Sequence, residues 1–305
     1  MPPTARSTGM WSTGRSSSGA MRPSIASTSG RSFSRCSASA VIPAARAIEA
    51  NASGVSSGDM AVSAGQAARK YSGSSRARSY NGRVSIPFRA IVFDFDGLIV
   101  DTEQPIYEAY SSIFAELGAS LPLSVWQDVI GQGVGNDAAF VHLESTIGRE
   151  VDREAIRAEA RARRRAVTLT LPPREGAAEL ITEAKETGFT LAVASSSTHA
   201  WVDWHLDRLG LLPSFDAVCT RDDVGEPKPS PAVYCLALNR LGMQPHEAFA
   251  IEDSPHGVTA AKAAGLRCVA APNPLTANMD LRHADHLLPS LAGVSLSDVV
   301  AGLVG

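Results

Sequence analysis

From residue 89 onward, short apolar runs alternate with longer segments in which apolar residues recur at helical spacing. The apolar runs are continuous, which is typical of strands that are buried on both faces. Strands are predicted at residues 90–95, 189–194, 217–219, 248–252 and 268–271, with a weaker one at 286–288. Helices are predicted near residues 199–209, 231–241 and 257–264. This alternation indicates an α/β fold, with a doubly wound parallel sheet between two layers of helices.

One interval between strands is much longer than a single crossover helix. It separates the first two predicted strands, its pattern is helical, and Pro172 and Pro173 mark the return to the sheet. We therefore expect a core formed by residues 84–108 and 171–305, with residues 109–170 inserted as a helical cap. A cap over the carboxyl edge of the sheet can close on a substrate and exclude water.

The first 83 residues differ in composition from the rest of the chain. They carry 11 Lys and Arg against 2 Asp and Glu, whereas residues 84–305 carry 17 against 29. A leader rich in Arg and Ser and poor in acids, without a long apolar segment, is typical of an organellar transit peptide and predicts disorder. We expect residues 1–83 to direct the protein to the chloroplast stroma. A mitochondrial leader, a disordered basic tail of a cytoplasmic protein and a misassigned start codon are the alternatives.

Polar side chains cluster where the predicted strands end. Asp94 and Asp96 follow the first strand, and Glu252 and Asp253 end the fourth. The carboxyl ends of parallel strands form the ligand-binding edge of such a sheet, so these groups should converge. Buried carboxylates require a compensating cation, and an all-oxygen site suits Mg²⁺.

Two further strand ends carry groups that suit an anion. The serine run that begins with Ser195 and Ser196 precedes a helix, whose N-terminus favours negative charge. Lys228 lies in a proline-rich loop, EPKPSP, after the third strand. A fixed ammonium beside a metal site and an anion site indicates binding of a phosphoryl group.

Four segments carry a resemblance to a known family. DFDGLIVDTE, VASSS, GEPKPSP and IEDSPHG resemble, in order, the four motifs of the haloacid dehalogenase superfamily. The last motif and the place of the insertion are similar to its subgroup I, the capped phosphatases and β-phosphoglucomutase-like proteins. The resemblance covers residues 88–289 and implies a Rossmann-like core with an inserted helical cap.

The resemblance also implies roles for individual residues. Asp94 would be the nucleophile that forms an aspartyl-phosphate, and Asp96 would act as general acid and base. Ser195 and Ser196 would bind the phosphoryl group, Lys228 would stabilise both it and Asp94, and Gly97 would allow the turn after the strand. The Mg²⁺ ligands implied are Asp94, the Asp96 carbonyl oxygen, Asp253 and, directly or through a neighbour, Glu252.

Departures from the family's sequence patterns reduce the number of reactions expected for this chain. Members that cleave carbon–halogen bonds lack an acid at the position of Asp96, so a phosphate ester is the expected substrate. Phosphosugar mutases carry a histidine where this chain has Ile106, and an arginine in a cap loop whose counterpart, residues 130–136, has none. We expect a phosphatase that acts on a small phosphorylated metabolite, a sugar or nucleoside phosphate. A mutase and a non-catalytic phosphometabolite-binding protein remain the alternatives.

Other features of the sequence concern the partners of the protein and its cap. The acidic folded part argues against nucleic acid as a partner, and no apolar stretch is long enough to span a membrane. The Arg-rich segment 153–165 is interpreted as a solvated cap helix with Glu–Arg pairs, and Trp201 and Trp204 as packing residues. The glycine-rich loop 131–135 is expected to contact substrate. A monomer or weak homodimer is expected.

Overall fold

The computed structural model describes residues 78–80, 84–128, 130 and 137–305, all within one compact unit. The strands are β1 (Arg78–Tyr80), β2 (Val84–Ile86), β3 (Ala90–Phe93), β4 (Thr190–Ala194), β5 (Ala217–Cys219), β6 (Ala248–Glu252), β7 (Arg267–Ala270) and β8 (His286–Leu287). The helices are α1 (Glu103–Glu116), α2 (Leu123–Gln127), α3 (Ala138–Ile147), α4 (Arg153–Thr168), α5 (Ala177–Glu186), α6 (His199–Arg208), α7 (Arg221–Val224), α8 (Ala232–Leu241), α9 (Pro255–Ala263) and α10 (Leu296–Val304).

Two of the expectations fall largely outside these residues. Of the leader, residues 1–83, only β1 is described, and it pairs antiparallel with β2. The glycine-rich loop at 131–135 lies entirely outside the described residues. Among the helices that are described, none combines the length and the apolar character that a membrane crossing requires.

The core contains a parallel sheet of six strands in the order β5-β4-β3-β6-β7-β8. β3 lies at its centre, with Ala90 opposite Thr190 of β4 and opposite Ala248 of β6. All four residues of β3 are buried, as the continuous apolar run predicted. The predicted doubly wound α/β fold is therefore confirmed, and the first strand of the sheet is also its central one.

Each face of the sheet packs against a separate layer of helices. Ile91 and Phe93 of β3 point to one face, where they belong to a cluster with residues of α5, α6 and α10. Ala90 and Val92 point to the other face, and their cluster includes residues of α8 and α9. Since neighbouring strand residues alternate between faces, this arrangement requires the uninterrupted apolar sequence of β3.

The insertion between β3 and β4 forms a helical cap with its own core. Helices α1 to α4 surround Phe114, Trp126, Leu143 and Ile156, and Leu275 from the loop after β7 packs into the same cluster. The first cap helix begins at Glu103, so it crosses the expected boundary at residue 109. The Gln127 side chain donates to the Leu275 carbonyl oxygen at 2.8 Å, which adds a polar contact between cap and core.

Candidate active site

A buried ion-pair network lies at the carboxyl edge of the sheet. The Lys228 ammonium donates to Asp94 Oδ1 at 2.5 Å and to Glu252 Oε1 at 2.6 Å, and all three side chains are less than 10% exposed. Burial alone would lower the pKa of Lys228, but Asp94 and Glu252 together raise it, so the ammonium stays charged. The loop after β5 thus brings a fixed cation to the ends of β3 and β6.

Glu252 is held by donors on both of its oxygens. Oε1 also accepts from the Tyr234 hydroxyl at 2.5 Å, and Oε2 accepts from the Asp253 amide at 3.1 Å. The carboxylate lies against Gly257, where an added Cβ would come within 2.0 Å of it. The glycine of the DSPHG segment is therefore needed to accommodate Glu252. Glu252 was expected to bind Mg²⁺ either directly or through a neighbour, and its contacts favour the second role, in which it orients Lys228.

Asp94 and Asp253 each keep one carboxylate oxygen without a hydrogen-bond donor among the described residues. Asp253 Oδ2 accepts from Asn273 Nδ2 at 2.7 Å, and Asp94 Oδ1 accepts from Lys228. The ligand oxygens of Asp94, Asp253 and Glu252 lie within 4.8 Å of one another. Burial and then the charge of Glu252 raise the pKa of Asp94 to about 8. Two open oxygens in a cluster of buried carboxylates fit a hard divalent cation such as Mg²⁺.

Asp96 lies two residues after Asp94 and is oriented by four side chains. Oδ1 accepts from Thr102 Oγ1 and from the Trp201 indole N–H, both at 2.8 Å. Oδ2 accepts from the hydroxyls of Ser195 at 3.2 Å and Ser197 at 2.6 Å. A hydroxyl can accept as well as donate, so this cradle suits either protonation state of the carboxyl group.

The turn after β3 depends on Gly97. Its φ is +83°, and its amide donates to the Val100 carbonyl oxygen at 2.7 Å. A Cβ there would lie 2.3 Å from Asp253 Oδ2, so the residue is constrained by both backbone conformation and space. Gly97 therefore lets the Asp96 loop approach Asp253.

The serine run after β4 contacts both the acid, Asp96, and the loop that carries Lys228. Ser195 is buried, and its Oγ accepts from the Ser197 amide at 2.9 Å while donating to Asp96. Ser196 Oγ accepts from the Lys228 amide at 3.1 Å, which ties the loop after β5 to β4. Ser196 and Ser197 line the space at the N-terminus of α6, where an anion is favoured.

A cavity of about 350 Å³ connects these groups with the cap. Its floor includes Asp94, Asp96, Lys228 and Asp253. Its other residues come mainly from α1, α4 and α6, including Glu103, Ile106, Tyr110, Trp126, Arg157, Arg161, Arg164 and Trp201. The interpretation of Trp201 as only a packing residue was therefore wrong, because it lines the cavity and contacts Asp96. The Arg-rich segment has its Glu–Arg pairs but also faces the cavity.

Sequence patterns missed two further residues at the site. Arg174, where the chain returns from the cap, donates to the carbonyl oxygens of Gly97 at 2.5 Å, Ala271 at 3.2 Å and Pro272 at 2.9 Å. It therefore joins the turn after β3 to the loop after β7. Asn273, which donates to Asp253, follows the end of β7. It could have been predicted in the same way as the other site residues, as a polar side chain just after the carboxyl end of a strand.

Comparisons with known proteins agree with this architecture. The family model of haloacid dehalogenase-like hydrolases matches residues 91–271. YhcW of Bacillus subtilis (strain 168), which is named as a phosphatase, is 42% identical over 209 residues, which cover 68% of this chain and 94% of YhcW.

Solved structures of one relative contain ligands. The crystal structure of CbbY from Rhodobacter sphaeroides in complex with phosphate matches with a TM-score of 0.55 and 32% identity, over 71% of this chain and 99% of that one. A mutant of CbbY in complex with xylulose-1,5-bisphosphate matches with a TM-score of 0.56 and 31% identity over the same shares. From the family match, the relatives and the sheet topology together, the chain belongs to the haloacid dehalogenase-like hydrolases.

Proposed function

We propose that this protein is a Mg²⁺-dependent phosphatase that hydrolyses the phosphate ester of a small metabolite, such as a sugar or nucleoside phosphate. The observation that carries the proposal is the floor of the cavity. There Asp94 and Asp253 each offer an open carboxylate oxygen beside the buried ammonium of Lys228. A second acid, Asp96, lies two positions after Asp94 in the sequence. The complexes of CbbY with phosphate and with a sugar bisphosphate support the same class of substrate.

Asp94 is the proposed nucleophile. Its Oδ1 is held by Lys228, and one of its carboxylate oxygens attacks phosphorus while the bond to the ester oxygen breaks, which forms an aspartyl-phosphate. Lys228 fixes the orientation of the carboxylate and supplies positive charge where negative charge develops. Asp94, Asp253 and the Asp96 carbonyl oxygen would hold Mg²⁺, which neutralises charge on the phosphoryl oxygens and on the acidic cluster when bound.

Asp96 is the proposed proton donor and acceptor. In the first step its carboxyl proton passes to the leaving oxygen, and in the second the carboxylate takes a proton from the water that attacks the aspartyl-phosphate. The Trp201 N–H and the hydroxyls of Thr102 and Ser197 hold it in place through both steps. The second step regenerates Asp94 and releases phosphate.

Hydrolysis is favoured over mutation by one cavity residue. Ile106, which replaces the histidine of the mutases, lines the cavity. An apolar side chain there cannot assist a proton transfer that returns the phosphoryl group to a bound sugar. Water is then the expected acceptor.

The test is phosphate release from p-nitrophenyl phosphate and from a panel of phosphorylated sugars and nucleosides, with Mg²⁺ and the full chain. We expect free phosphate and no isomeric sugar phosphate. Asp94→Asn should abolish release while the protein stays folded, because the substitution removes the attacking oxygen and preserves side-chain size. Tight binding without turnover by the metal-loaded protein would instead identify a binding protein, and isomer formation would identify a mutase.

The compartment and the assembly state complete the proposal. The composition of residues 1–83 supports import into the chloroplast stroma, with a monomer or weak homodimer as the working form. Import of a leader fusion into isolated chloroplasts and mitochondria tests the first point, and light scattering tests the second.

A further inference from the structure

The cavity has a second charged region, on the cap side. Arg157, Ala160, Arg161 and Arg164 of α4 line it, and their spacing places them along one face of that helix. We infer that the substrate carries a second acidic group, separate from the phosphoryl group that is attacked, and that Arg164 and Arg161 bind this group. The inference rests on the proposed function and specifies its substrate class.

Arg164 is the main observation. Its guanidinium lies 5.3 Å from the centre of the Trp201 ring, and the side chain is partly buried. Within the described part of the chain, no carboxylate lies within ion-pairing distance of it. Burial lowers the pKa of Arg164, although the charge of Asp96 opposes this. A partly desolvated cation without a hydrogen-bonded anion is unfavourable, so the site gains stability when an anion enters.

Other arginines of α4 show that this lack of a partner is not general. Arg153 pairs with Asp137 and Glu144, Arg157 with Asp137 and Glu154, and Arg163 with Glu116 and Glu159. Arg161 and Arg164 line the cavity and have no such partner among the described residues. The undescribed cap positions, 129 and 131–136, contain no Asp or Glu that could supply one.

Trp126 adds a neutral donor to the same region. It lines the cavity and is 4% exposed, and its indole N–H has no hydrogen-bond partner within the described residues. A buried N–H without a partner costs free energy that a bound acceptor recovers. An oxyacid group offers such an acceptor together with the negative charge that Arg164 lacks.

Glu103 is the acidic residue that could compete for Arg164. It lines the cavity, but its carboxylate is beyond ion-pairing distance from any arginine of α4 in the described structure. Burial and the charge of Asp96 raise the pKa of Glu103 to about 7, and Arg164 only partly offsets this. Glu103 therefore satisfies Arg164 poorly. The competing explanation is that Arg164 only balances Glu103 and Asp96, and the two explanations predict different substrate dependence.

The experiment compares matched substrates of three to six carbons: a sugar monophosphate, the corresponding bisphosphate and the corresponding phosphorylated sugar acid. p-Nitrophenyl phosphate, with a single acidic group, is the reference. We expect the best substrate to carry two acidic groups, and the bisphosphate and sugar-acid arms identify whether the second is a phosphate or a carboxylate. Arg164→Gln should lower kcat/KM for that substrate by about tenfold to 100-fold, mainly through KM.

The same variant should lower kcat/KM for p-nitrophenyl phosphate by a clearly smaller factor, because that substrate has no second acidic group, and Arg165→Gln, an exposed neighbour outside the cavity, should leave both substrates unaffected. The inference is overturned if the best substrate has one acidic group, if Arg164→Gln weakens both substrates equally, or if only p-nitrophenyl phosphate reacts. Absence of turnover with every compound, p-nitrophenyl phosphate included, would instead refute the proposed function.

Discussion

Replacing Gly97 by alanine tests whether the turn after β3 positions Asp253. The new Cβ would lie 2.3 Å from Asp253 Oδ2 and 2.7 Å from Asn273 Nδ2, whereas ordinary contact begins at 3.4 Å. The carboxylate must therefore move by about 1 Å, while metal–ligand distances tolerate only about 0.2 Å. A positive φ adds about 1–2 kcal/mol of backbone strain for an L-residue.

Gly118→Ala is the matched control. Gly118 has a φ of +84°, and an added Cβ would meet nothing within 4 Å. It should lose only the backbone term in the free energy of unfolding. Gly97→Ala should lose more, bind Mg²⁺ more weakly and drop about 100-fold in kcat/KM. Chemical denaturation, calorimetric Mg²⁺ titration and p-nitrophenyl phosphate kinetics measure these quantities. Equal Mg²⁺ affinity and equal kcat/KM in the two variants would refute the reasoning.

Three other outcomes are expected. Lys228→Met should lower the free energy of unfolding of the metal-free protein by about 3–5 kcal/mol near pH 8, because it leaves buried carboxylates unpaired. The loss should shrink on acidification, since Asp94, whose pKa burial raises to about 8, then takes up a proton in the folded state; a pH-independent loss would contradict this. Trp201→Phe should reduce kcat about tenfold, because Asp96 loses one of its donors, whereas Trp204→Phe should not affect kcat. Mg²⁺ at 100 times its Kd should stabilise the protein by about 2.7 kcal/mol, and Asp253→Asn should remove that effect.

The central sheet and the floor of the site were predictable because both follow from local patterns. Continuous apolar runs identified the strands, and the polar residues at their ends identified Asp94, Asp96, Lys228 and Asp253. These side chains meet because they all lie at the carboxyl edge of the same parallel sheet. The alternation of strands and helices already predicts that sheet and that edge.

The cap side of the site was less predictable, because which face of a cap helix meets the core depends on tertiary packing. Trp201 has the same helical spacing as a packing residue, and its N–H reaches Asp96 because α6 follows β4, the strand that pairs with β3. Arg174 lies in a turn without periodicity, and three backbone carbonyl oxygens define its role. Because every residue carries a backbone carbonyl group, the sequence does not show which carbonyl oxygens accept these hydrogen bonds.

The central position of β3 also affects the order in which the chain can acquire its structure during synthesis. This strand leaves the ribosome before the strands on either side of it, and its second neighbour, β6, ends only at residue 252. The cap helices lie within residues 103–168 and contact one another before any later strand is made, so they can associate while β3 is still unpaired. A nascent chain that stops before β6 would therefore contain the cap helices and lack Asp253, so its acidic cluster would stay incomplete until residue 253 has been added.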